Sequence, residues 1–430
     1  MSKPRRGYLF SLDSRTLSIG AELHRAGHVE FYGLQVAQVL DREPSSVYKS
    51  LHRLVRLGLL EERWERQRRY YRLTPFGRDS VIHARLGRRV FGRTTSPRRT
   101  LRPVNFTARR IVTGHDTEGR DVILSDGAPT GTLFPSTDLG GFGLTHWWWL
   151  DAAPSTVDDG GEIPDGPRQL EPPPGGCSVM LIRFPGGGDW IRVDGDDPDR
   201  PGMHATDTLD FMVVIDGRII LGLDDGEHEL GPGDVVVQRG NLHRWRVAGD
   251  EPCTYAVCMV RPDPTVETSA VTLAAATATS PGRPRRLVTA TRPDGTSFAL
   301  ADGYPPCALS PGADDGVALV ELWQSGGPLT SPEQGGDPED GWELEPRGGG
   351  VAFRWVRLPA GHDPGDAGWH TTNTIDVDIV VSGRLELALP DVEPVVIGPG
   401  EAVVQRGTHH KWQPVGDDPV EFVSLMLAVG

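Results

Sequence analysis

Apolar positions in the N-terminal stretch recur at helical spacing. SRTLSIGAELHRAG carries Leu17, Ile19, Ala21 and Leu23 before Gly27, and LQVAQVLD sets Leu34, Ala37 and Leu40 on one side of a second short helix. In EPSSVYKSLHRLVRLGLL, Val47, Leu51, Leu54 and Leu57 form a core-facing stripe, with Pro44 suited to the first turn and Gly58 to the end. Ser46, Lys49, Ser50, Arg53 and Arg56 lie off that stripe. LLEERWERQRRYYRLT then predicts two extended runs around a basic tip, Arg66-Gln67-Arg68-Arg69, and TPFGRDSVIHARLGRRV opens a last helix.

Further along, the period becomes that of strands, and the pattern is written twice. DFMVVIDGRIILGL and DVDIVVSGRLELAL each read as strand, tight turn, strand. RRIVT (109–113) returns as RRLVT (285–289), and SDGAP (125–129) returns as ADGYP (301–305). PGDVVVQRGNLHRW (232–245) returns as PGEAVVQRGTHHKW (399–412), so a unit of about 170 residues occurs twice. Duplicated short strands joined by glycine turns predict two antiparallel barrels or jelly rolls. RVFGRTTSPRRTLRPVNF (89–106) and TSAVTLAAATATSPGRP (268–284) have no apolar period and read as linkers.

Composition agrees with this division. The 54 Gly and 37 Pro among 430 residues suit short strands and turns, and the length suits two or three domains. There is no apolar run of about 18–20 residues, so no spanning helix is expected, and MSKPRRGYLFSLDS lacks the apolar core of a signal peptide. Four cysteines (Cys177, Cys253, Cys258, Cys307) make no disulfide framework and fit buried thiols in a reducing cytoplasm. Charge changes the picture most. Residues 1–103 hold 22 Lys and Arg against 9 Asp and Glu, whereas the remainder holds 22 against 50. A basic head on an acidic body implies different partners, with nucleic acid attracted to the head alone.

SSVYKSLHRLVRLGLLEER followed by RRYYRLTPFGR resembles the winged helix-turn-helix of PadR- and MarR-type regulators over about 75 residues. The resemblance implies that Ser45, Ser46, Tyr48, Lys49 and Arg53 meet bases or phosphates, and that Arg66, Arg68 and Arg69 of the wing meet phosphate. It also implies a homodimer on double-stranded DNA, because half-site spacing normally demands two copies. The bland alternative is a solvated basic face, or a winged helix used for protein contacts.

The duplicated part is similar to a bicupin, two tandem cupin barrels, over about residues 105–430. The first cupin motif, His-x-His, three or four residues, Glu, six residues, Gly, stands here as His204-x-Thr206, Asp210 and Gly217. It stands again as His370-x-Thr372, Asp376 and Gly383; the second motif ends at His243 and His410. The family implies a metal held by three His and one Glu. Thr replaces one His and Asp replaces Glu in both copies, and a neutral hydroxyl is a weak ligand for transition metals. Two His and one carboxylate (His204, Asp210, His243; His370, Asp376, His410) could still make a facial triad for Fe, Mn or Zn. The favoured reading has no cofactor: the same residues, with Thr206, Thr372, Trp245 and Trp412, line a cavity for a small organic ligand. His409 and His410, adjacent on a strand, should point to opposite faces. At least one of Trp147, Trp148 and Trp149 should face a pocket, a neighbouring segment or a subunit contact.

The expected fold class is therefore multidomain, an N-terminal α/β winged helix-turn-helix followed by two all-β cupin jelly-roll barrels. Its parts are the head at 10–92, a linker at 93–106, barrels at 107–267 and 285–430, and a second linker at 268–284. The expected function is a cytoplasmic, ligand-responsive transcription regulator that meets no membrane. Two alternatives stand beside it. One is a bicupin oxygenase, decarboxylase or isomerase acting on a small organic acid, with a regulatory head. The other is an oligomeric binding protein.

Overall fold

A computed structural model describes residues 31–32, 47, 51–52, 54–55, 60–65 and 68–73 of the N-terminal part. Beyond it, residues 109–130, 143–164, 170–191, 200–267, 276–277, 284–309, 316–338, 343 and 345–430 are described. The chain divides into two compact units, one built mainly from residues 1–103 and the other mainly from 143–430 with 104–134.

In the first unit, residues 47, 51, 52, 54 and 55 are helical, and Val47, Leu51 and Leu54 are fully buried as their stripe predicts. Strands Leu60–Glu65 and Arg68–Leu73 pair antiparallel, and Phe31–Tyr32, which the sequence pattern did not mark as a strand, pairs with the second of them. The ladder includes Arg68 and Arg69, opposite Glu65 and Trp64, so these two open the second strand instead of belonging to the expected tip. Ser45, Ser46, Tyr48, Lys49, Arg53 and Arg66 lie outside the described residues, as do the first two expected helices and the last.

The second unit is almost wholly β. Its two large sheets follow from duplicated strands that are buried on both faces, such as Cys177–Phe184, Leu209–Asp216 and Cys253–Val260 in the first copy. Their counterparts are Val351–Leu358, Thr374–Ser382 and Val420–Ala428. One sheet has seven strands among the described residues and the other eight, and each copy adds a three-stranded sheet. The large sheets pack face to face through one apolar cluster, with the Phe211 and Phe353 ring centroids 5.0 Å apart. A register shift between His146 and Trp148 places both Trp147 and Trp148 in that cluster, and all three consecutive Trp are buried. All four cysteines are free thiols; Cys177, Cys253 and Cys258 are buried and Cys307 is half-buried.

The opening hairpins are exchanged. Strand Arg110–His115 runs parallel to Ala402–Arg406 of the second copy, and Arg286–Thr291 runs parallel to Val235–Arg239 of the first. This exchange explains the repeated Arg-Arg. Arg109 and Arg285 lie at the surface in two-pronged ion pairs with Asp126 and Asp302, the acids of SDGAP and ADGYP. Arg110 and Arg286 turn inward. Arg286 donates to the Leu322 carbonyl and pairs with Asp337 at 2.5 Å, both side chains buried; Arg110 donates to the Trp147 carbonyl and pairs with Glu162. Paired, hydrogen-bonded guanidinium is the form in which a buried cation is tolerated.

Candidate functional site

Each copy brings its two motif histidines face to face. His204 and His243 exchange both backbone hydrogen bonds, at 2.9 and 2.8 Å, and their ring centroids lie 4.2 Å apart. His370 and His410 repeat this at 3.0 and 2.9 Å, with ring centroids again 4.2 Å apart. In all four, Nδ1 lies 2.9 Å from a main-chain carbonyl: Gly202, Asn241, Gly368 or Thr408. A carbonyl only accepts, so Nδ1 carries a proton in each ring, and the tautomer this selects for a neutral ring has its lone pair on Nε2. Burial, together with the facing His, lowers His243 and His410 to about 3, so both are neutral near pH 7.

The carboxylates sit one strand away. Asp210 lies opposite Gln238 and Asp376 opposite Gln405 in the ladders. Thr206, at the missing third-His position, donates to Asp210 Oδ2 at 3.4 Å, and Thr372 donates to Asp376 Oδ2 at 3.0 Å. The other oxygen of each Asp is buried without a hydrogen-bond partner. Burial pushes Asp210 up to about 7 and Asp376 to about 6. Gln238 lies with Nε2 2.6 Å from His243 Nδ1, which also donates to the Asn241 carbonyl. Two donors do not face each other, so the amide reads the other way round, with its oxygen toward the imidazole. It then presents an unpartnered NH2, as Gln405 does in the second copy.

The aromatic residues fall where the strand period predicts. Trp245 stands edge-on to His243 at 6.2 Å, and Trp412 to His410 at 5.4 Å. His409 points to the opposite face from His410 and stacks on Trp369 at 5.3 Å.

Among the described residues, no three or more His, Cys, Asp or Glu side chains are grouped to hold a metal ion. His204, Asp210 and His243, or His370, Asp376 and His410, are not grouped here as a facial triad. The shorter Asp side chain bonds back to the Thr of its own strand entry and does not join the imidazoles. The donor set does not fit a cupin metal centre.

Over 146 residues the chain is 36% identical to phomopsin biosynthesis cluster protein C' of Diaporthe leptostromiformis, a match spanning 33% of this chain and 70% of that protein. Protein D of the same cluster matches to the same extent. The chain belongs to the family of these cluster proteins. It is also 30% identical over 149 residues to the cupin-domain-containing oxidoreductase fogC of Aspergillus ruber, covering 32% of this chain and 62% of fogC. Residues 23–82 match the transcriptional regulator PadR-like family, and residues 193–260, which include His204, Asp210 and His243, match the cupin domain. Among solved structures, AerE from Microcystis aeruginosa is similar at a TM-score of 0.36 and 10% identity, over 70% of this chain and 97% of AerE. Protein Ylba from E. coli is similar at 0.34 and 12%, over 68% and 92%.

Residues absent from the sequence reading complete each site. Thr289, on the strand contributed by the other copy, bonds to Asn241 and accepts from Arg239 N at 3.1 Å. Thr113 bonds to Gln405, accepts from Arg406 N at 3.2 Å and meets Thr408 at 3.1 Å. Asn241 and Thr408 are the residues whose carbonyls orient His243 and His410. The available signal was the Thr that ends both RRIVT and RRLVT, and the Gln of both VVQRG segments.

Proposed function

We propose that this chain is a ligand-responsive transcription regulator. Its head, a winged helix-turn-helix of PadR or MarR type, binds operator DNA as a homodimer, and its body is a bicupin whose barrels take a small organic effector. One observation carries the reading: a PadR-like segment at 23–82, within the basic head, and a cupin segment at 193–260 share one chain. In this account Ser45, Ser46, Tyr48, Lys49 and Arg53 contact the major groove, and Arg66, Arg68 and Arg69 contact phosphate. His204, Thr206, Asp210, His243 and Trp245, and His370, Thr372, Asp376, His410 and Trp412, meet effector. The sites offer buried acceptors and an amide donor, the groups that orient a polar molecule in an apolar cavity. The effector shifts DNA binding only by its differential affinity for two arrangements of the heads. No helix among the described residues is long and apolar enough to cross a membrane.

The test is selection of duplex fragments by the full chain, followed by binding to the selected duplex. A selected sequence bound well above random duplex supports the reading; no preference over random duplex sinks it.

The resemblance to an oxidoreductase favours a second reading, a bicupin enzyme with a DNA-binding head. Metal analysis of protein purified without a metal-binding tag separates the two. Near-stoichiometric iron, manganese or zinc, lost in His204→Ala or His370→Ala, would favour the enzyme.

A further inference from the structure

The two copies differ along one row of side chains. In the first copy the ladders set Met212, Val257, Met180 and His146 side by side across four strands. The same four places in the second copy hold Asp378, Ser424, Arg354 and Glu321. All eight residues are buried. Alternation fixes the direction in which the row faces. Val377, Ile379, Val423, Leu425, Phe353 and Trp355 pack between the large sheets. Val380, Phe422 and Val356, on the other side, pack with Leu385 and Leu387 of the small sheet. Asp376, Asp378, Ser424 and Arg354 share that second side, the interior of the copy.

The interior of the second copy is therefore unbalanced in charge. Three carboxylates (Asp376, Asp378, Glu321) share one guanidinium. Arg354 is committed to Glu321 Oε2, through Nε at 3.0 Å and Nη2 at 2.8 Å. Asp376 Oδ1, Glu321 Oε1 and the Thr374 hydroxyl are buried with no hydrogen-bond partner. Asp376 and Asp378, two apart on one strand and on one face, feel the charge of Arg354, which is hydrogen-bonded to Glu321, and neither makes an ion pair among the described residues. Burial raises both, Asp378 well above the ordinary carboxylate value and with Asp376 contributing. Buried carboxylates in this state are stabilised by a positive partner. Asp378 and Glu321 stand at the two ends of the row and Asp376 lies two residues along the strand from Asp378, and no metal-binding group occurs among the described residues. An elongated cation with N–H donors suits that row.

We propose that the interior of the second copy binds a small organic cation, one carrying a protonated amine or a guanidinium, with Asp376 and Asp378 as its counter-charges, and that the first copy does not. The proposal rests on the reading of the body as a ligand receptor and assigns the charged ligand to one half. With Met at 212 and 180, the first copy has no carboxylate at the place of Asp378, and its row holds no carboxylate or guanidinium.

The test uses the full chain and four probes of one size: butylammonium, butylguanidinium, butanol and butyrate. Binding is measured by calorimetry at neutral pH, first with the unaltered protein. The cations should bind, and butanol and butyrate should bind at least about tenfold more weakly. Asp378→Met, which installs the residue found at the equivalent position of the first copy, and Asp376→Asn should each weaken the cations by roughly thirtyfold or more. Met212→Leu in the first copy should not change binding. Equal or tighter binding of butyrate or butanol overturns the proposal, as does binding of none of the four. Cation binding that survives in folded Asp376→Asn and Asp378→Met overturns it too, and so does loss of cation binding when stoichiometric manganese is added, which would make this a metal site. If either variant fails to fold, the comparison of the four probes on the unaltered protein still decides. Cation binding with no effect on DNA affinity would overturn the regulator reading and leave this assignment standing.

Discussion

His370 and His410 face each other across a two-stranded bridge, ring centroids 4.2 Å apart, with both Nδ1–H groups held by main-chain carbonyls. The Nε2 lone pair of neutral His410 remains as an acceptor, and His243, facing His204, repeats the arrangement. Neither pair gains the carboxylate or third imidazole that would make it a metal centre. What remains is a duplicated acceptor site, built partly by the strand exchanged from the other copy.

The His410 environment predicts an acid-side loss of stability. Its folded value is lowered to about 3, against an ordinary 6.5. The unfolded chain binds the extra proton between those values, so the contribution is full above 6.5 and falls as pH drops toward 3. Between pH 7 and 5 the unaltered protein should lose up to about 2 kcal/mol more stability than His410→Gln. Parallel denaturation profiles for the two proteins would contradict the assignment.

Asp210 predicts the opposite slope. Burial raises it from 3.8 to about 7, so the folded protein holds a proton that the unfolded chain releases. The resulting penalty is absent below pH 3.8 and grows as pH rises through 7. Asp210→Asn should therefore gain stability relative to the unaltered protein between pH 4 and 7.5, on the order of 3–4 kcal/mol. A difference independent of pH, read from urea midpoints, would show that the carboxyl is already ionised when folded.

The exchanged strands predict a sharp contrast between adjacent arginines. Arg286 is fully buried against Asp337, so Arg286→Ala strands a buried carboxylate and should cost about 3–5 kcal/mol. Arg285 pairs with Asp302 at the surface, and its removal should cost about 0–1 kcal/mol. Thermal denaturation of the two variants checks this; similar losses would mean that the inner pair contributes little.

Gly383 turns the hairpin between the strands Thr374–Ser382 and Leu385–Ala388 at φ +75°, and a Cβ there would lie 2.3 Å from the Pro419 carbonyl oxygen. Gly383→Ala combines left-handed backbone with a clash against main chain, so it should destabilise by more than about 1 kcal/mol. A neutral effect in denaturant melts would mean that the neighbouring Pro419 turn yields.

The duplication, the strand character of the body and the pairing of His with Trp were legible because period-two patterns and repeated glycine turns are local signals. Phe31–Tyr32 was not, since a two-residue strand has no period of its own. Arg68 and Arg69 were misplaced by two residues for a related reason: a run of charged residues does not mark where a ladder ends. The hairpin exchange was invisible because parallel pairing over more than 280 positions in sequence, as between Arg110 and Ala402, depends on tertiary packing. Thr113, Thr289, Gln238 and Gln405 lie within the sequence repeats, yet only that exchange shows why they matter. The reach of Asp210 and Asp376 likewise depended on a side-chain direction that composition does not encode.

The central claim is that the basic head grips DNA while the acidic body receives the signal. Its most direct test is the salt dependence of full-chain binding to a selected duplex, compared with Arg68→Ala/Arg69→Ala. If both side chains meet phosphate, affinity should fall for all sequences, and the slope of log affinity against log salt should decrease by about 2. An unchanged slope, or no binding to any duplex at low salt, would contradict the account.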